Sequence, residues 1–310
     1  MQVGILEPDG FSKKAMSDLS EIADIECYDS CPLSLFLKSK DIIFIRLAYQ
    51  IDADFLDKAP NLKILCSPTT AHSHIDEDQL ESRGIALVSL RNEREFLNNI
   101  RATPEHTLGL MIAILRNYKD AFINLTNQNW DRDLYRGEEL YGLNVGVIGM
   151  GRVGCKVSEY LDVFGSNVGY YDVNLDVIVE GYKKFRTLKE LIISSDMILM
   201  SASYENNQSP ILDSGLIELM KDKYFVNTAR GELVDEESLI EAIRNGFLRG
   251  VATDVIASEN NINNAHSWIE LTERNNVIVT PHIAGATWTS MRTTEEFIVS
   301  KLLKILPEVV

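Results

Sequence analysis

Three charged side chains that each follow an apolar, β-rich run are the residues of this sequence best suited to chemistry: Arg230, Glu259 and His282. The preceding runs are Tyr224–Thr228, Gly250–Ile256 and Val277–Thr280. Such runs alternate with helical stretches, which predicts strands of one parallel sheet. The carboxyl ends of parallel strands lie along one edge, where ligands bind. We therefore expect the guanidinium, the carboxylate and the imidazole to converge at that edge.

This trio suits the transfer of a hydride to a carbonyl group together with delivery of a proton. The alkoxide that forms must be protonated by a group that titrates near neutrality, which points to His282. Glu259 would hold one ring proton and stabilise the imidazolium. Arg230 would bind a carboxylate through two parallel hydrogen bonds and polarise the adjacent carbonyl. The trio therefore predicts a 2-keto acid or 2-hydroxy acid as substrate.

Taken one at a time, these residues also have simpler interpretations. An arginine before a glycine is usually a solvated turn residue, and a single glutamate in a polar loop usually lies at the surface. A histidine at a strand end often only caps backbone groups. The joint occurrence of all three beside a dinucleotide-binding motif favours the catalytic interpretation.

That motif is a glycine-rich turn between a strand and a helix. The apolar run Leu143–Ile148 leads directly into 149–154, which reads G-x-G-x-x-G, and a helical stretch follows. Gly149 would allow the tight turn, Gly151 would let backbone amides approach a pyrophosphate, and Gly154 would let the helix pack on the strand. The setting predicts a dinucleotide-binding fold.

An aspartate ends the next predicted strand and bears on the choice of cofactor. Asp172 follows Asn167–Tyr171, near the ~20-residue spacing of the acid that binds the ribose in such folds. Its carboxylate would accept hydrogen bonds from the 2′-hydroxyl of NAD and repel the 2′-phosphate of NADP. We expect NAD, although a surface aspartate beside an ordinary glycine turn would give the same letters.

The elements that must position these residues fall into two alternating α/β blocks. The break between them is expected within residues 91–106, where Pro104 and several charges interrupt the pattern; the arginines there predict a solvated loop or a lid over an anionic substrate. A final helical stretch, Ser290–Leu306, has one apolar face. This face must pack on the first domain or on another copy of the chain.

Composition limits the partners. With 30 basic and 46 acidic side chains, the 310 residues carry a net charge of −16, which disfavours nucleic acid and anionic membranes. The four cysteines form no C-x-x-C pair. The chain opens with the strand-like Met1–Leu6 and not with a signal peptide. We expect a cytoplasmic protein without a metal or a membrane span.

The sequence resembles the D-isomer-specific 2-hydroxyacid dehydrogenase family. The matching stretches are Leu143–Gly154, Val226–Asp235 (VNTARGELVD), Gly250–Glu259 (GVATDVIASE) and Thr280–Thr287 (TPHIAGAT). The resemblance implies an α/β protein of two doubly wound parallel-sheet domains. Residues 1–98 plus 285–310 would form a flavodoxin-like substrate domain, and 99–284 an inserted Rossmann NAD-binding domain. The family is typically dimeric, so a homodimer is expected.

The same resemblance assigns further site residues. Asp254 should bind the nicotinamide carboxamide, and the amides of Arg152 and Val153 should meet the pyrophosphate. In the first domain, the family's glycine-containing loop for the substrate carboxylate is replaced by T-T-A-H-S-H at 69–74, which contains no glycine. We expect the substrate there to contact the loop residues and a nearby arginine: Thr70, Ala71, His72 and Arg46. A solvated His72 and a salt-bridged Arg46 are the alternatives.

Two other functions are compatible with a dinucleotide-binding fold. A binding protein of the corepressor type would sense NADH with little turnover, and an enzyme resembling formate dehydrogenase would transfer a hydride without any proton. A sensor has no need of an acid–base pair, and the Glu259–His282 pair has a purpose chiefly where a proton moves. Both alternatives are therefore disfavoured.

Overall fold

The chain consists of two compact units. The computed structural model describes residues 1–70, 72, 74–126, 130–204, 208–257, 259 and 262–309. Unit 1 comprises Met1–Ile100 and Ala286–Val310, and unit 2 comprises Arg101–Gly285. Among the described residues, no helix has both the length and the apolar character that crossing a membrane would require.

Unit 1 is a doubly wound α/β sheet. Its strands are β1 (Gln2–Ile5), β2 (Asp24–Cys27), β3 (Ile42–Phe44), β4 (Ile64–Ser67) and β5 (Ala86–Ser89), and its helices are α1 (Lys13–Ser20), α2 (Leu33–Leu37), α3 (Ala53–Asp57), α4 (Glu77–Ser82), α5 (Arg94–Leu97) and the terminal α13 (Trp288–Val309). All pairings are parallel, in the order β2-β1-β3-β4-β5. This is the flavodoxin-like order.

Alternation along the strands explains why unit 1 has helices on both faces. Ile42 and Phe44 of β3 pack into one apolar cluster together with α1 and α13, whereas Ile43 between them packs into a second cluster with α2, α3 and α4. A sheet buried on both faces needs such continuous apolar strands. Asp52 and Asp76 fix the starts of α3 and α4 by accepting from backbone amides of the first turn.

The terminal helix completes unit 1. Ile298, Val299 and Leu302 are fully buried in the same cluster as β1 and β3, and the rings of Phe96 and Phe297 stack with centroids 3.8 Å apart. Of the two expected ways to bury its apolar face, the helix uses packing on the first domain.

Unit 2 is a larger parallel sheet covered by helices. Its strands are β6 (Asn144–Ile148), β7 (Asn167–Tyr171), β8 (Lys183–Lys184), β9 (Met197–Met200), β10 (Tyr224–Asn227), β11 (Gly250–Thr253) and β12 (Val277–Val279), and its helices are α6 (Ala102–Leu115), α7 (Tyr118–Thr126), α8 (Arg152–Val163), α9 (Leu188–Ile193), α10 (Ser214–Ile217), α11 (Glu236–Arg244) and α12 (Ile262–Arg274). The order β12-β11-β10-β9-β6-β7-β8 reverses direction between β6 and β9, as in Rossmann folds.

The stretch at 91–106 is more regular than its composition predicts. It contains α5 and the start of α6, which begins at Ala102 and includes Pro104 in its first turn. Proline is tolerated there because first-turn amides have no intrahelical acceptor. The interruption expected at Pro104 therefore does not occur, because the proline lies inside the helix. The predicted strand Gly250–Ile256 also ends earlier, at Thr253, so the chain from residue 254 onwards is free to form a loop.

Candidate active site

The glycine-rich turn has the geometry of a phosphate cradle. Gly149 has φ +90°, and a Cβ there would lie 2.5 Å from the Cα of Ala202. A Cβ on Gly154 would lie 2.3 Å from the carbonyl oxygen of Gly149, so this glycine is required for helix α8 to pack on the turn. A Cβ on Gly151 would meet no atom of the described residues within 4 Å. The space beside Gly151 is therefore open to a ligand.

The helix amino end points its first amides at this turn. Gly151 is the N-cap of α8 and supplies no side-chain hydrogen bond, and Arg152 and Val153 are the first two helical residues. First-turn amides and the helix dipole favour an anion such as a pyrophosphate. These residues therefore fit the dinucleotide predicted for them.

Asp172 ties the end of β7 to the glycine turn. Its Oδ2 accepts a hydrogen bond from the amide of Met150 at 2.8 Å, and its Oδ1 accepts from the amide of Asn174 at 2.9 Å. A carboxylate oxygen can accept more than one hydrogen bond, so capacity for a ribose hydroxyl remains. The negative charge stays fixed beside the phosphate cradle.

Asp172→Asn tests the predicted preference for NADH over NADPH. The neutral amide no longer repels a 2′-phosphate and accepts hydrogen bonds less strongly, so we expect the ratio of the two kcat/KM values to fall by roughly 10- to 100-fold. Steady-state rates with both cofactors measure this ratio. Asp176→Asn removes the same charge from an exposed position in the same loop and is the control. An equal effect in both variants would show that the loss of one negative charge anywhere in this loop causes the change, and that Asp172 has no specific role in cofactor choice.

Glu259 and His282 form a hydrogen-bonded pair. Glu259 Oε2 lies 2.7 Å from His282 Nδ1, and both side chains are partly exposed. The backbone of His282 has φ +53°, a left-handed conformation that is uncommon outside glycine. Its amide donates to the carbonyl oxygens of Asp254 at 2.8 Å and Thr280 at 3.0 Å. The surrounding chain thus holds the backbone of His282 in a strained conformation of the kind found at functional sites.

Arg230 lies in a turn that Asn227 stabilises. The side chain of Asn227 is buried. Its Nδ2 donates to the backbone carbonyl of Arg230 at 2.9 Å, and its Oδ1 accepts from the backbone amide of Ala229 at 3.0 Å. The Arg230 Nε is buried and has no hydrogen-bond partner among the described residues. Burial lowers the pKa of Arg230, whereas the charges of Glu259 and Glu232 raise it. The guanidinium is therefore a desolvated cation, attracted by Glu259, with a donor available for an anion.

Asp254 holds the chain segment that carries His282. Its side chain is only 1% exposed, and it accepts from the amides of Ile283 at 2.9 Å and Ala284 at 2.8 Å and from the Thr280 hydroxyl at 2.6 Å. Three bonds from the residues that flank His282 fix its backbone. The predicted contact with the nicotinamide carboxamide stays a prediction.

His106 and Thr280 belong to the hydrogen-bond network of Asp254, and neither was predicted from the sequence to be a site residue. His106 Nε2 lies 3.2 Å from Thr280 Oγ1 and 3.4 Å from Asp254 Oδ1. Burial alone would raise the pKa of Asp254, but the hydrogen bonds from His106, Thr280 and two amides lower it. Thr280 begins the stretch TPHIAGAT identified above, which was the available signal for this network.

The predicted substrate residues of unit 1 have varied surroundings. Thr70 is exposed, and Ala71 lies outside the described residues. His72 is buried, with Nδ1 3.1 Å from Glu77 Oε1, and Arg91 forms an ion pair with the same carboxylate at 2.7 Å. Burial and the charge of Arg91 lower the pKa of His72, which favours the neutral imidazole.

Arg46 is engaged in an ion pair. Its Nε and Nη2 donate to Glu295 Oε1 at 3.1 and 2.6 Å, and its Nη1 donates to the Asp9 carbonyl at 3.0 Å. The second oxygen of Glu295 accepts from the Ser12 amide at 2.7 Å. The structure thus shows the salt-bridged alternative, and contact of Arg46 with a substrate stays a prediction.

Glu295→Gln will destabilise unit 1. Glu295 is fully buried, and its neutral replacement leaves the guanidinium of Arg46 without a counter-charge. We expect the free energy of unfolding to fall by about 3 kcal/mol in urea titrations. The neighbouring change Glu296→Gln, in a partly exposed side chain bonded to the Ser12 hydroxyl, should cost less than about 1 kcal/mol. Equal losses in the two variants would contradict this role of the buried pair.

The chain is similar to known proteins along nearly its whole length. A D-3-phosphoglycerate dehydrogenase from Methanocaldococcus jannaschii is 30% identical over 98% of this chain and 57% of the relative's own length. A glyoxylate reductase from Thermofilum pendens is 29% identical over 87% of this chain and 79% of its own length. The chain thus spans little more than half the length of the phosphoglycerate dehydrogenases that it matches.

A solved structure and a family model agree with these relatives. The crystal structure of D-lactate dehydrogenase from Aquifex aeolicus, complexed with NAD and lactic acid, matches with a TM-score of 0.84 and 26% identity, covering 99% of this chain and 96% of the other. Residues 108–284 match the model described as D-isomer specific 2-hydroxyacid dehydrogenase, NAD binding domain. This chain belongs to the D-isomer specific 2-hydroxyacid dehydrogenase family.

Proposed function

We propose that this protein is an NAD-dependent oxidoreductase that interconverts a small 2-keto acid and its D-2-hydroxy acid. The observation that carries the proposal is the hydrogen bond of 2.7 Å between Glu259 and His282. The charge of Glu259 also raises the pKa of Arg230, and all three residues lie in the unit that matches an NAD-binding domain. A cation for a carboxylate and an acid–base pair for a carbonyl oxygen are the groups that this reaction needs.

The proposed binding of the cofactor uses the cradle described above. The amides of Arg152 and Val153 hold the pyrophosphate, Asp172 binds the ribose, and Asp254 binds the carboxamide. When bound, the nicotinamide donates or accepts the hydride. The remaining chemistry belongs to side chains of this chain.

Arg230 binds the substrate carboxylate and polarises the neighbouring carbonyl. Glu259 occupies Nδ1 of His282, which leaves Nε2 as the atom that exchanges a proton with the substrate oxygen. During reduction, the imidazolium gives this proton to the alkoxide, and Glu259 stabilises the imidazolium beforehand. During oxidation, the neutral imidazole takes the proton from the hydroxyl.

The proposal also includes a division of the chain into two domains and a set of substrate contacts in the first of them. Residues 1–98 plus 285–310 form the substrate domain and 99–284 the NAD-binding domain. The substrate contacts Thr70, Ala71 and His72; the buried His72 Nε2, which has no hydrogen-bond partner among the described residues, supports a polar ligand there.

The four cysteines are free thiols, which supports a reducing compartment such as the cytoplasm.

We also propose that two copies of the chain pair through α7. No residue of this helix is buried, and several apolar side chains on it and just after it are exposed: Phe122, Ile123, Leu125, Trp130 and Leu134. A cluster of exposed large apolar side chains marks an interaction surface. Family membership supports a second copy as its occupant.

Phe122→Glu will therefore shift the protein from dimer to monomer. A charge buried at an interface without a partner costs several kcal/mol, so we expect the dimer dissociation constant to rise at least about 100-fold. Analytical ultracentrifugation across a concentration series measures this constant. Leu35→Glu places the same charge at an exposed site of unit 1 and should leave the assembly unchanged. A Phe122→Glu protein that assembles like the parent would exclude α7 from the interface.

The proposed activity is tested by NADH oxidation with a panel of small 2-keto acids, some of them phosphorylated. We expect turnover with at least one acid and formation of the D isomer. A protein that binds NADH and then changes its association state without measurable turnover would instead be a sensor of the corepressor type. Oxidation of formate without a keto acid substrate would also contradict the proposal.

A further inference from the structure

The loop that carries Glu259 is held by the same short segment that carries Arg230. Segment 230–236 begins with Arg230, passes through a 3-10 turn at Gly231–Leu233, and ends at Glu236 in the first turn of α11. Two of its residues, Gly231 and Glu236, contact the chain at 256–257, and Glu259 lies two positions after Ala257. The spacing of the two charged site residues therefore depends on these contacts.

The first contact is backbone on backbone. A Cβ on Gly231 would lie 2.0 Å from the carbonyl carbon of Ile256 and 2.2 Å from the amide nitrogen of Ala257. A side chain cannot occupy this position unless one of the two segments moves. Because Gly231 has no side chain, the turn that contains Arg230 can pack directly against the backbone at 256–257.

The second contact is a hydrogen bond. The amide of Ala257 donates to Glu236 Oε2 at 2.7 Å, which is a short bond to a carboxylate. Glu236 is half-buried and shares the lining of a small cavity with the buried side chains Leu239 and Trp268. Burial raises the pKa of Glu236. The hydrogen bond from the Ala257 amide opposes this shift in pKa.

We propose that Glu236 is a positioning residue for the acid–base pair. It fixes the Ala257 amide, and Glu259 lies two residues further along the same loop, 2.7 Å from His282. Glu236 does not contact the substrate or the cofactor in this proposal; it acts through Glu259. The inference rests on the proposed function, because Glu259 needs precise placement only if His282 transfers a proton.

The placement matters because hydrogen-bond strength depends steeply on distance and angle. Arg230 and Glu259 follow different strands, β10 and β11, so strand pairing sets only the starting points of their segments. The contacts of Gly231 and Glu236 set the rest. Loss of the Glu236 contact should therefore disturb proton transfer more than carboxylate binding by Arg230.

Kinetics of four proteins test this role: the parent, Glu236→Ala, Glu236→Gln and Glu237→Ala. Glu236→Ala should lower kcat for keto-acid reduction roughly tenfold or more with a smaller change in KM, because a displaced catalytic group costs rate. Glu236→Gln keeps an acceptor and should restore most of the rate. Glu237→Ala alters the exposed neighbouring glutamate and should behave like the parent.

Hydrogen exchange gives a readout that is independent of turnover. Amide exchange at 255–257, followed by mass spectrometry, should be faster in Glu236→Ala and in Glu236→Asp, whose carboxylate is withdrawn by about one carbon–carbon bond. Glu236→Asp keeps the charge in the first turn of α11, so it also serves if the alanine variant folds poorly. Unchanged exchange in both variants would overturn the proposal.

The outcomes separate this inference from the proposed function. If the parent shows no dehydrogenase activity, the proposed function fails, whatever the variants do. If the parent is active and Glu236→Ala keeps its kcat, or loses only substrate affinity, Glu236 is not a positioning residue for the acid–base pair.

Discussion

Replacing His282 with alanine will lower kcat for reduction of the 2-keto acid by about 100- to 10 000-fold. In the proposed mechanism the imidazole protonates the alkoxide, and Glu259 Oε2 lies 2.7 Å from its Nδ1. NADH affinity, measured by fluorescence titration, should change little, because the substitution leaves the phosphate cradle at 149–154 and Asp172 intact.

His266→Ala is the matched control for this variant. His266 is exposed on α12 of the same unit, so its loss should leave kcat unchanged. A His282→Ala protein that retains parental kcat at neutral pH would show that water or another residue supplies the proton. The assignment of the acid would then be wrong.

Replacing Arg230 with lysine will raise KM for the keto acid and lower kcat/KM about 10- to 100-fold, although the positive charge is kept. The ammonium cannot form the two parallel hydrogen bonds of a guanidinium, and it cannot polarise the carbonyl from the same place. Arg230→Ala should be more severely impaired, because the cation itself is lost. Both effects are measured from initial rates over a range of keto-acid concentrations.

Arg244→Lys controls for general effects of an arginine-to-lysine change. Arg244 forms a surface ion pair with Glu270 at 3.3 Å, and such pairs contribute little to stability. Its kinetic constants should equal those of the parent. If Arg230→Lys also behaves like the parent, the substrate carboxylate is bound elsewhere, and the substrate residues of unit 1 become the first candidates.

Features encoded by local sequence were predicted well. The predicted run Leu143–Ile148 forms the strand Asn144–Ile148, and the strand Asn167–Tyr171 has the expected bounds. Gly149 and Gly154 have the steric roles expected for them. These features depend on apolar periodicity and on the absence of a side chain, which are visible within a few residues. The Glu259–His282 pair was predictable because both residues follow parallel strands of one sheet.

Features that depend on distant partners were not predicted. Arg46 and Glu295 are separated by 249 positions, and no local pattern reveals that one neutralises the other. The contact of Glu236 with the Ala257 amide and the network of His106 with Asp254 arise only after the chain has folded. A glutamate in the first turn of a helix is common for electrostatic reasons alone, so its sequence position carried no sign of a further role.

The fate of deuterium from labelled NADH tests the central claim most directly. Reduction of an accepted 2-keto acid with NADH that carries deuterium at the transferred position of C4 should give the D-2-hydroxy acid with one deuterium at C2, as measured by mass spectrometry and chiral chromatography. The rate should fall with His282→Ala. A product of the L configuration, a product without deuterium, or no product with any 2-keto acid would contradict the account.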